Sequence, residues 1–146
     1  MALEKHTGLE VLPDEWRLYV LENRLRTYVN WPFTDDCNCT PYNMASAGWL
    51  HCPSENGPDV AQCFFCFKEL ENWEPEDSPL EEHAKHSPAC GFVQLKKKVE
   101  ELTVQEFLKL DKERVKNRTN KQYALKTAVF NQMAEKVRQS IENLGS

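Results

Sequence analysis

Four side chains with the chemistry of zinc ligands lie close together in the sequence, at the spacing Cys63-x2-Cys66-x16-His83-x6-Cys90. A Cys-x-x-Cys pair suits a tight turn that directs two thiolates at one ion, and a histidine and a third cysteine complete a tetrahedral set. Thiolate ligands favour zinc over magnesium or calcium. The spacing therefore predicts one bound zinc ion. His86 lies one helical turn after His83, so spacing alone leaves it open as an alternative ligand.

A zinc ion in this set is expected to be structural, because catalytic zinc usually has three protein ligands and an open position for water. A general base could be sought among the nearby acids Glu69, Glu71, Glu81 and Glu82. The sequence has no Ser/His/Asp pattern, however, and its five glycines form no phosphate-binding loop. We therefore expect no catalytic residues and no enzyme, and a zinc hydrolase would require an open coordination position.

The remaining cysteines are Cys37, Cys39 and Cys52. The start of the chain, MALEKHTGLEV, lacks the basic and then apolar pattern of a secretory signal, which disfavours disulfides. Free thiols are the favoured interpretation, and a second metal site at Cys37-Asn38-Cys39 is the alternative. No apolar run approaches the roughly 20 residues that span a bilayer. The sequence thus predicts a soluble, intracellular protein without membrane association.

The charge is distributed unevenly along the chain. Residues 1–92 hold 6 Lys and Arg against 16 Asp and Glu, whereas residues 93–146 hold 12 against 7. An acidic first part disfavours direct nucleic-acid binding and favours a basic ligand. Seven acids fall within residues 69–82, with Trp73 among them as an apolar wall for a peptide with a free amino terminus. The alternative is a solvated acidic surface with Trp73 partly in the core.

Local patterns predict the positions of the secondary-structure elements. An amphipathic helix is expected over residues 11–29, starting near Pro13. Thr40 is expected to cap a short helix that begins at Pro41 and closes at Gly48. Strand-like segments follow at residues 49–52 and 60–65, separated by the turn-forming PSENGPD. A further short helix is expected from Pro79 to His86.

One long helix is expected after Phe92, because the rest of the chain has no proline and its only glycine is Gly145. Apolar side chains recur every seven residues at Tyr123, Phe130, Val137 and Leu144, and Ala134 and Ile141 follow two of these by four residues. This pattern predicts a face that binds partner helices. The alternative is a helix that folds back on its own domain.

Three segments carry a resemblance to a known family: RLRTYVNWPF (24–33), CTPYNMASAGWLHCPSENGPDVAQCFFCFKELENWEPEDSPLEEHAKHSPACGFV (39–93) and EELTVQEFLKLDKER (100–114). The chain resembles the baculoviral IAP repeat family, also called inhibitors of apoptosis. The resemblance implies an α+β fold, with a small zinc-binding domain of a three-stranded sheet and short helices, followed by one long C-terminal α-helix. It implies a zinc domain at 11–95, a linker and dimerisation segment at 96–110, and the long helix at 99–144.

The resemblance also assigns functions. It names His83 as the fourth zinc ligand, and it excludes the ligase activity of RING-bearing members, because no Cys or His follows Cys90. Members with this architecture are non-enzymatic adaptors of the chromosomal passenger complex. They read a histone tail phosphorylated on a threonine at its third residue, and their long helix bundles with borealin and inner-centromere protein to bring Aurora kinase to centromeres. The implied localisation is cytoplasm and nucleus, with centromere, kinetochore, spindle midzone and midbody in dividing cells.

The resemblance also implies roles for individual residues. The implied histone-peptide pocket has Glu71 and Asp77 accepting hydrogen bonds from the α-ammonium, Leu70 and Trp73 closing the pocket, and Lys68 and His86 facing the phosphate. The implied dimer interface comprises Leu12, Trp16, Val99, Leu102, Val104 and Phe107, for which intramolecular packing is the alternative. The helix-bundle face comprises Tyr123, Phe130, Val137, Ile141 and Leu144. Tyr123 replaces a threonine that Aurora kinase phosphorylates in the family, so that site is not transferred.

Two further expectations remain. Thr40-Pro41 matches a proline-directed phosphorylation site of the family, although Thr40 equally suits a helix cap. The alternative function is inhibition of apoptosis, through caspases or through pro-apoptotic peptides with an N-terminal alanine that the same acidic pocket would capture. The linker segments that inhibit caspases in relatives are not recognisable in this sequence.

Overall fold

A computed structural model describes residues 13–145, so Leu12 of the expected dimer interface lies outside the described residues. The described part of the chain starts with a 3₁₀ helix, and another 3₁₀ helix precedes the long helix. In chain order the elements are a 3₁₀ helix Asp14–Tyr19, α1 Leu21–Leu25, α2 Pro41–Ser46, β1 Trp49–His51, β2 Ala61–Cys63, β3 Glu69–Leu70, α3 Pro79–His86, a 3₁₀ helix Val99–Glu101 and α4 Val104–Leu144.

The three strands form one antiparallel sheet in the order β1-β2-β3. Trp49 pairs with Cys63, and Ala61 pairs with both His51 and Leu70. Side chains on β1 and β2 alternate between buried and half-buried, as expected for strands with one face against the core. The structure confirms the expected α+β fold with its three-stranded sheet, short helices and long C-terminal helix.

The first predicted helix is broken, which corrects the expectation of one helix over residues 11–29. Val20 is extended, with φ −86° and ψ 123°, between the 3₁₀ helix and α1. The buried Arg24 explains the break, because its Nη1 donates to the carbonyls of Leu18 and Tyr19 at 2.8 and 3.0 Å. Its Nε also donates to Ala45 at 2.8 Å, which ties this segment to α2. The side chain thus satisfies carbonyls that a continuous helix would have bonded internally.

Hydroxyl side chains cap the helices, and the cap at Thr40 is the predicted one. Thr40 Oγ1 accepts from Asn43 N at 3.2 Å, which confirms the cap ahead of Pro41. The α3 helix occupies Pro79–His86, as expected from its sequence. Thr103 caps α4 and exchanges hydrogen bonds with Glu106, so the long helix begins at Val104 rather than at residue 99.

The first third of α4 is fastened to the domain by a buried polar cluster. Asp111 Oδ1 accepts from Tyr19 at 2.8 Å and from Arg114 Nε at 2.6 Å, and its Oδ2 accepts from Trp16 Nε1 at 2.9 Å. Further along, Asn117 Nδ2 donates to the Phe65 carbonyl at 3.2 Å. These contacts hold the helix against the segment that carries the zinc ligands.

Beyond residue 121 the character of α4 changes. Every residue from 122 to 145 is exposed except Ala134, so this part of the helix does not fold back on the domain. Its apolar face is therefore open, which agrees with the expectation of partner helices. Within the described residues, no helix is both long and apolar enough to cross a membrane.

Candidate functional site

The four predicted zinc ligands converge on one point. Their ligand atoms all lie within 4.8 Å of one another, and Cys66 Sγ is 3.6 Å from His83 Nε2. In a tetrahedral site with Zn–S of about 2.3 Å and Zn–N of about 2.0 Å, a sulfur and a nitrogen ligand lie about 3.5 Å apart. The separation in the structure therefore fits zinc, and the complete Cys3His set is typical of a structural ion.

Neighbouring groups orient these ligands. His83 Nδ1 donates to the Ala47 carbonyl at 2.6 Å, which leaves Nε2 facing the three sulfurs. Cys63 Sγ accepts from the backbone amides of Phe65 and Cys66, and Cys66 Sγ accepts from Ser87 Oγ. Burial raises the pKa of the Cys63 thiol well above its ordinary value, so a thiolate there requires a cation beside it. When bound, zinc supplies that charge and cross-links the ends of this segment.

The turn between β2 and β3 is shaped to present the cysteine pair. Cys63 N donates to the Lys68 carbonyl at 3.0 Å, and Phe67 N donates to the Cys63 carbonyl at 3.0 Å. Phe67 adopts φ 64°, a left-handed conformation that is rare for a bulky side chain. A zinc ion held by Cys63 and Cys66 would offset the cost of this conformation.

His86 is not part of the zinc cluster, which closes the alternative that the spacing left open. Its Nε2 instead lies 3.3 Å from Glu82 Oε2, one turn earlier on α3. Among the described residues, the four-ligand cluster is also the only group of three or more potential metal ligands, so a second site at Cys37-Asn38-Cys39 is not found there. No disulfide joins the six cysteines. Cys39 is buried and donates to the Glu74 carbonyl.

The expected peptide pocket lies along the edge strand β3 and the acidic turn after it. Lys68 and Glu71 are exposed, whereas Leu70 is half-buried. Trp73 is only 6% exposed and stacks edge-on against Trp49, with ring centroids 5.5 Å apart. Most of this indole therefore belongs to the core, as the alternative interpretation stated, and only its rim is accessible to a ligand.

Two aspartates hold the acidic turn in shape. Asp77 Oδ2 accepts from Glu74 N at 2.9 Å. One of the two carboxylate oxygens of Asp77, which is expected to bind the α-ammonium group of a peptide, therefore already has a hydrogen-bond partner. Asp59, which the sequence interpretation missed, accepts from Trp73 N at 2.8 Å through Oδ2. The only signal for Asp59 was its place in the PSENGPD turn, and nothing in the sequence linked that turn to Trp73. Gly57 lies against this site too, since a Cβ there would sit 3.0 Å from Glu71 Oε2.

The two expected phosphate-binding residues flank the zinc turn. Lys68 follows Cys66 by two residues, and His86 ends α3. Because the next residue, Ser87, contacts Cys66 at 3.2 Å, the end of α3 lies against the turn that carries Lys68. This contact brings the end of α3, which carries His86, close to the turn that carries Lys68. Glu82 beside His86 partly opposes an anion there.

The expected dimer residues within the described chain line one apolar cleft of about 700 Å³. Trp16 and Phe107 also pack together within the chain, with ring centroids 5.2 Å apart. The intramolecular alternative therefore holds for this aromatic pair, whereas Val104 at the rim is well exposed. The cleft residues from the expected set are Trp16, Val99, Leu102, Val104 and Phe107.

The expected helix-bundle residues all lie on the exposed part of α4. Phe130 is 69% exposed, and Tyr123, Val137, Ile141 and Leu144 are similarly open. Phe130, Val137 and Ile141 share a shallow groove with Met133, which the heptad pattern did not include. Exposed apolar side chains also occur at Leu125 and Val129, so the apolar face is broader than predicted.

Several known proteins are similar to this chain in sequence. Residues 24–94 match the BIR family, described as the Inhibitor of Apoptosis domain. The chain is 58% identical over 139 residues to baculoviral IAP repeat-containing protein 5 of Rattus norvegicus, covering 95% of this chain and 98% of the relative. It is 59% identical over 133 residues to protein 5.2-A of Xenopus laevis, covering 91% and 85% of the two chains.

Among solved structures, the crystal structure of DIAP1 BIR1 bound to a Grim peptide is 36% identical, with a TM-score of 0.43, covering 51% of this chain and 71% of that chain. Both curated relatives are matched along nearly the whole of the present sequence. The chain belongs to the baculoviral IAP repeat family and is similar to its survivin members.

Proposed function

We propose that this chain is a non-enzymatic adaptor of the chromosomal passenger complex. It reads a histone tail phosphorylated on threonine and docks the helices of borealin and inner-centromere protein, which brings Aurora kinase to centromeres during mitosis and cytokinesis. The observation that carries the proposal is the pairing of a charged peptide-binding edge with a long helix whose apolar face is open. Such a chain connects a ligand to an assembly without performing chemistry on either.

The peptide-binding edge has the polarity that such a tail requires. Within residues 13–145, strand β3 pairs only with β2, so its outer edge carries no further strand and suits an extended peptide. Acids after β3 suit an α-ammonium group, and Asp77 has a second carboxylate oxygen besides the one that accepts from Glu74 N. Lys68 and His86 lie beside the zinc turn at the other end, where a phosphate carrying about −1.5 to −2 charges would be attracted.

A calorimetric titration tests the reader function. A peptide with a small first residue, a free amino terminus and phosphothreonine at position three is expected to bind at least about tenfold tighter than its unmodified form, since charge-assisted hydrogen bonds contribute about 1.5–3 kcal/mol. Lys68→Ala should remove most of this advantage, whereas Asp77→Ala should weaken both peptides alike. Lys126→Ala, at an exposed lysine on α4, is the matched control. Equal affinity for the two peptides would reject phosphate reading.

The open face of α4 is the proposed platform for partner helices. A face this apolar is unfavourable in water, and burying it between helices stabilises the assembly by roughly 25 cal/mol per Å² of apolar surface. The linker and the cleft around Phe107 would support a homodimer or a partner segment in addition. Asn117, which donates to the Phe65 carbonyl, and Lys121, which pairs with Glu69 of β3 at 3.4 Å, are the last described contacts of α4 with the domain before this platform begins.

Charge placed on this face is expected to prevent assembly. The double variant Phe130→Glu, Val137→Glu would bury two carboxylates without partners, so three-chain complex formation with borealin-type and inner-centromere-type helices should fall by at least about 100-fold. Co-purification and size-exclusion chromatography measure this loss. Gln132→Glu, Gln139→Glu adds the same charge two positions along from each site and should assemble normally. A stable complex with the first variant would show that the partners bind elsewhere.

A further inference from the structure

The hydrogen bonds to the zinc-ligand sulfurs come from two kinds of donor, backbone amides and a side-chain hydroxyl. Cys63 Sγ accepts from two backbone amides, at 3.3 and 3.4 Å, which no side-chain modification can remove. Cys66 Sγ instead accepts from the hydroxyl of Ser87 at 3.2 Å. Cys66 is also the only one of the four ligands that is not fully buried. The most accessible ligand therefore depends on a hydrogen bond from a side chain that can be chemically altered.

Ser87 links the zinc ligands through its backbone as well. Its N–H donates to the His83 carbonyl at 2.8 Å, and its carbonyl accepts from Cys90 N at 3.0 Å. The residues around it, 84–86 and 88–89, are all exposed, so the segment lies on the surface. Ser87 is followed by Pro88, and Ser-Pro is the dipeptide that proline-directed protein kinases modify.

We infer that Ser87 is a phosphorylation site for a proline-directed protein kinase, and that its modification weakens zinc retention. In this reaction Ser87 Oγ attacks the γ-phosphorus of ATP, the bond from that phosphorus to the bridging oxygen of ADP breaks, and the hydroxyl proton passes to a base of the kinase. The esterified oxygen then has no proton to donate to Cys66 Sγ. The added phosphate also brings about −1.5 to −2 charges close to a thiolate.

Both effects act on the same zinc ligand. A hydrogen-bond donor to a ligand disperses its negative charge, and losing such a partner usually lowers metal affinity by about 10–100-fold. A neighbouring phosphate dianion disfavours the thiolate further by like-charge repulsion. This inference does not depend on the proposed adaptor function, because it concerns only the stability of the zinc centre.

The chain allows a clean test, since only two other Ser/Thr-Pro dipeptides occur, at Thr40-Pro41 and Ser78-Pro79. Both hydroxyls cap helices, and asparagine retains that capacity without being a phosphate acceptor. The full-length, zinc-loaded Thr40→Asn, Ser78→Asn variant would be incubated with a purified proline-directed kinase and ATP. Mass spectrometry is expected to find one phosphate, on Ser87. Zinc transfer to a chromogenic chelator should then be about 10–100-fold faster than from the untreated protein.

Single substitutions separate the hydroxyl from the added charge. Ser87→Ala should release zinc about tenfold faster than the parent, and Ser87→Thr, which keeps a hydroxyl, should restore slow release. Ser140→Ala, on the exposed part of α4, is the control and should behave as the parent. The inference is overturned if the kinase leaves Ser87 unmodified, or if the phosphorylated and alanine forms release zinc at the parental rate.

Discussion

Replacing Cys63 by serine is expected to unfold the zinc domain at temperatures where the parent protein is folded. Structural zinc contributes about 10–16 kcal/mol of apparent binding free energy in small zinc domains. That contribution is comparable with or larger than the whole stability of a typical domain, about 5–15 kcal/mol. Cys63 ends β2 and is fully buried, so no water can readily replace its sulfur. Treatment of the parent with a strong chelator should have the same effect.

Zinc content and thermal unfolding followed by near-ultraviolet circular dichroism would measure this loss. The buried Trp49 supplies the signal, because its ring centroid lies 4.6 Å from that of the zinc ligand His83. Cys52→Ser is the matched control, because Cys52 is a partly buried cysteine that does not belong to the cluster. It should bind one zinc per chain and melt close to the parent. A Cys63→Ser protein with full zinc occupancy and parental melting would disprove the assigned ligand set.

The second large effect is expected from Asp111→Ala, at the junction between α4 and the first 3₁₀ helix. Asp111 and Arg114 are only 8% and 5% exposed, and removing one partner of a buried ion pair typically costs about 3–5 kcal/mol. Among the described residues Arg114 Nη2 has no hydrogen-bond partner and lies 3.9 Å from the half-exposed Glu15 Oε2, so without Asp111 this long ion pair would compensate its charge only weakly. The hydrogen bonds from Trp16 and Tyr19 would be lost as well.

Urea unfolding would measure the change, and α4 itself supplies the control. Glu135 and Arg138 form an ion pair with the same three-residue spacing but on an exposed part of the helix. Glu135→Ala should therefore change the free energy of unfolding by less than about 1 kcal/mol. Equal effects of the two substitutions would show that the Asp111 cluster does not fasten the helix.

Acid should weaken the same cluster. Burial raises the pKa of Asp111, but the hydrogen bonds from Arg114, Trp16 and Tyr19 together lower it by more than burial raises it. The pKa of Asp111 therefore lies below its ordinary value of 3.8. The contribution of a carboxylate with a depressed pKa is present above the unfolded value and is lost as the pH falls through the folded value. The stability difference between the parent and Asp111→Asn should consequently shrink below about pH 4. Both proteins carry the same zinc centre, so its own acid sensitivity cancels in the comparison.

Local sequence patterns determined much of the fold and of the candidate zinc site. Residue spacing identified the three cysteine ligands and limited the fourth to His83 or His86, because such sites use short turns and helices whose geometry follows from spacing. The structure shows that the fourth is His83. Helix caps at Thr40 and the extent of α3 were predictable for the same reason. The seven-residue repeat along α4 marked a face that stays exposed, since residues 122–145 have almost no contact with the domain that could override it.

Other features were decided only by the tertiary structure. The break at Val20 depends on Arg24 reaching carbonyls across the turn, and Trp73 became a core residue because Trp49 packs against it. Asp111 looked like an ordinary helix acid, yet its partner Trp16 lies 95 residues away in the chain. Contacts between distant segments leave no periodicity or motif in a single sequence, because the side chains involved are unremarkable until the fold brings them together and removes the water around them.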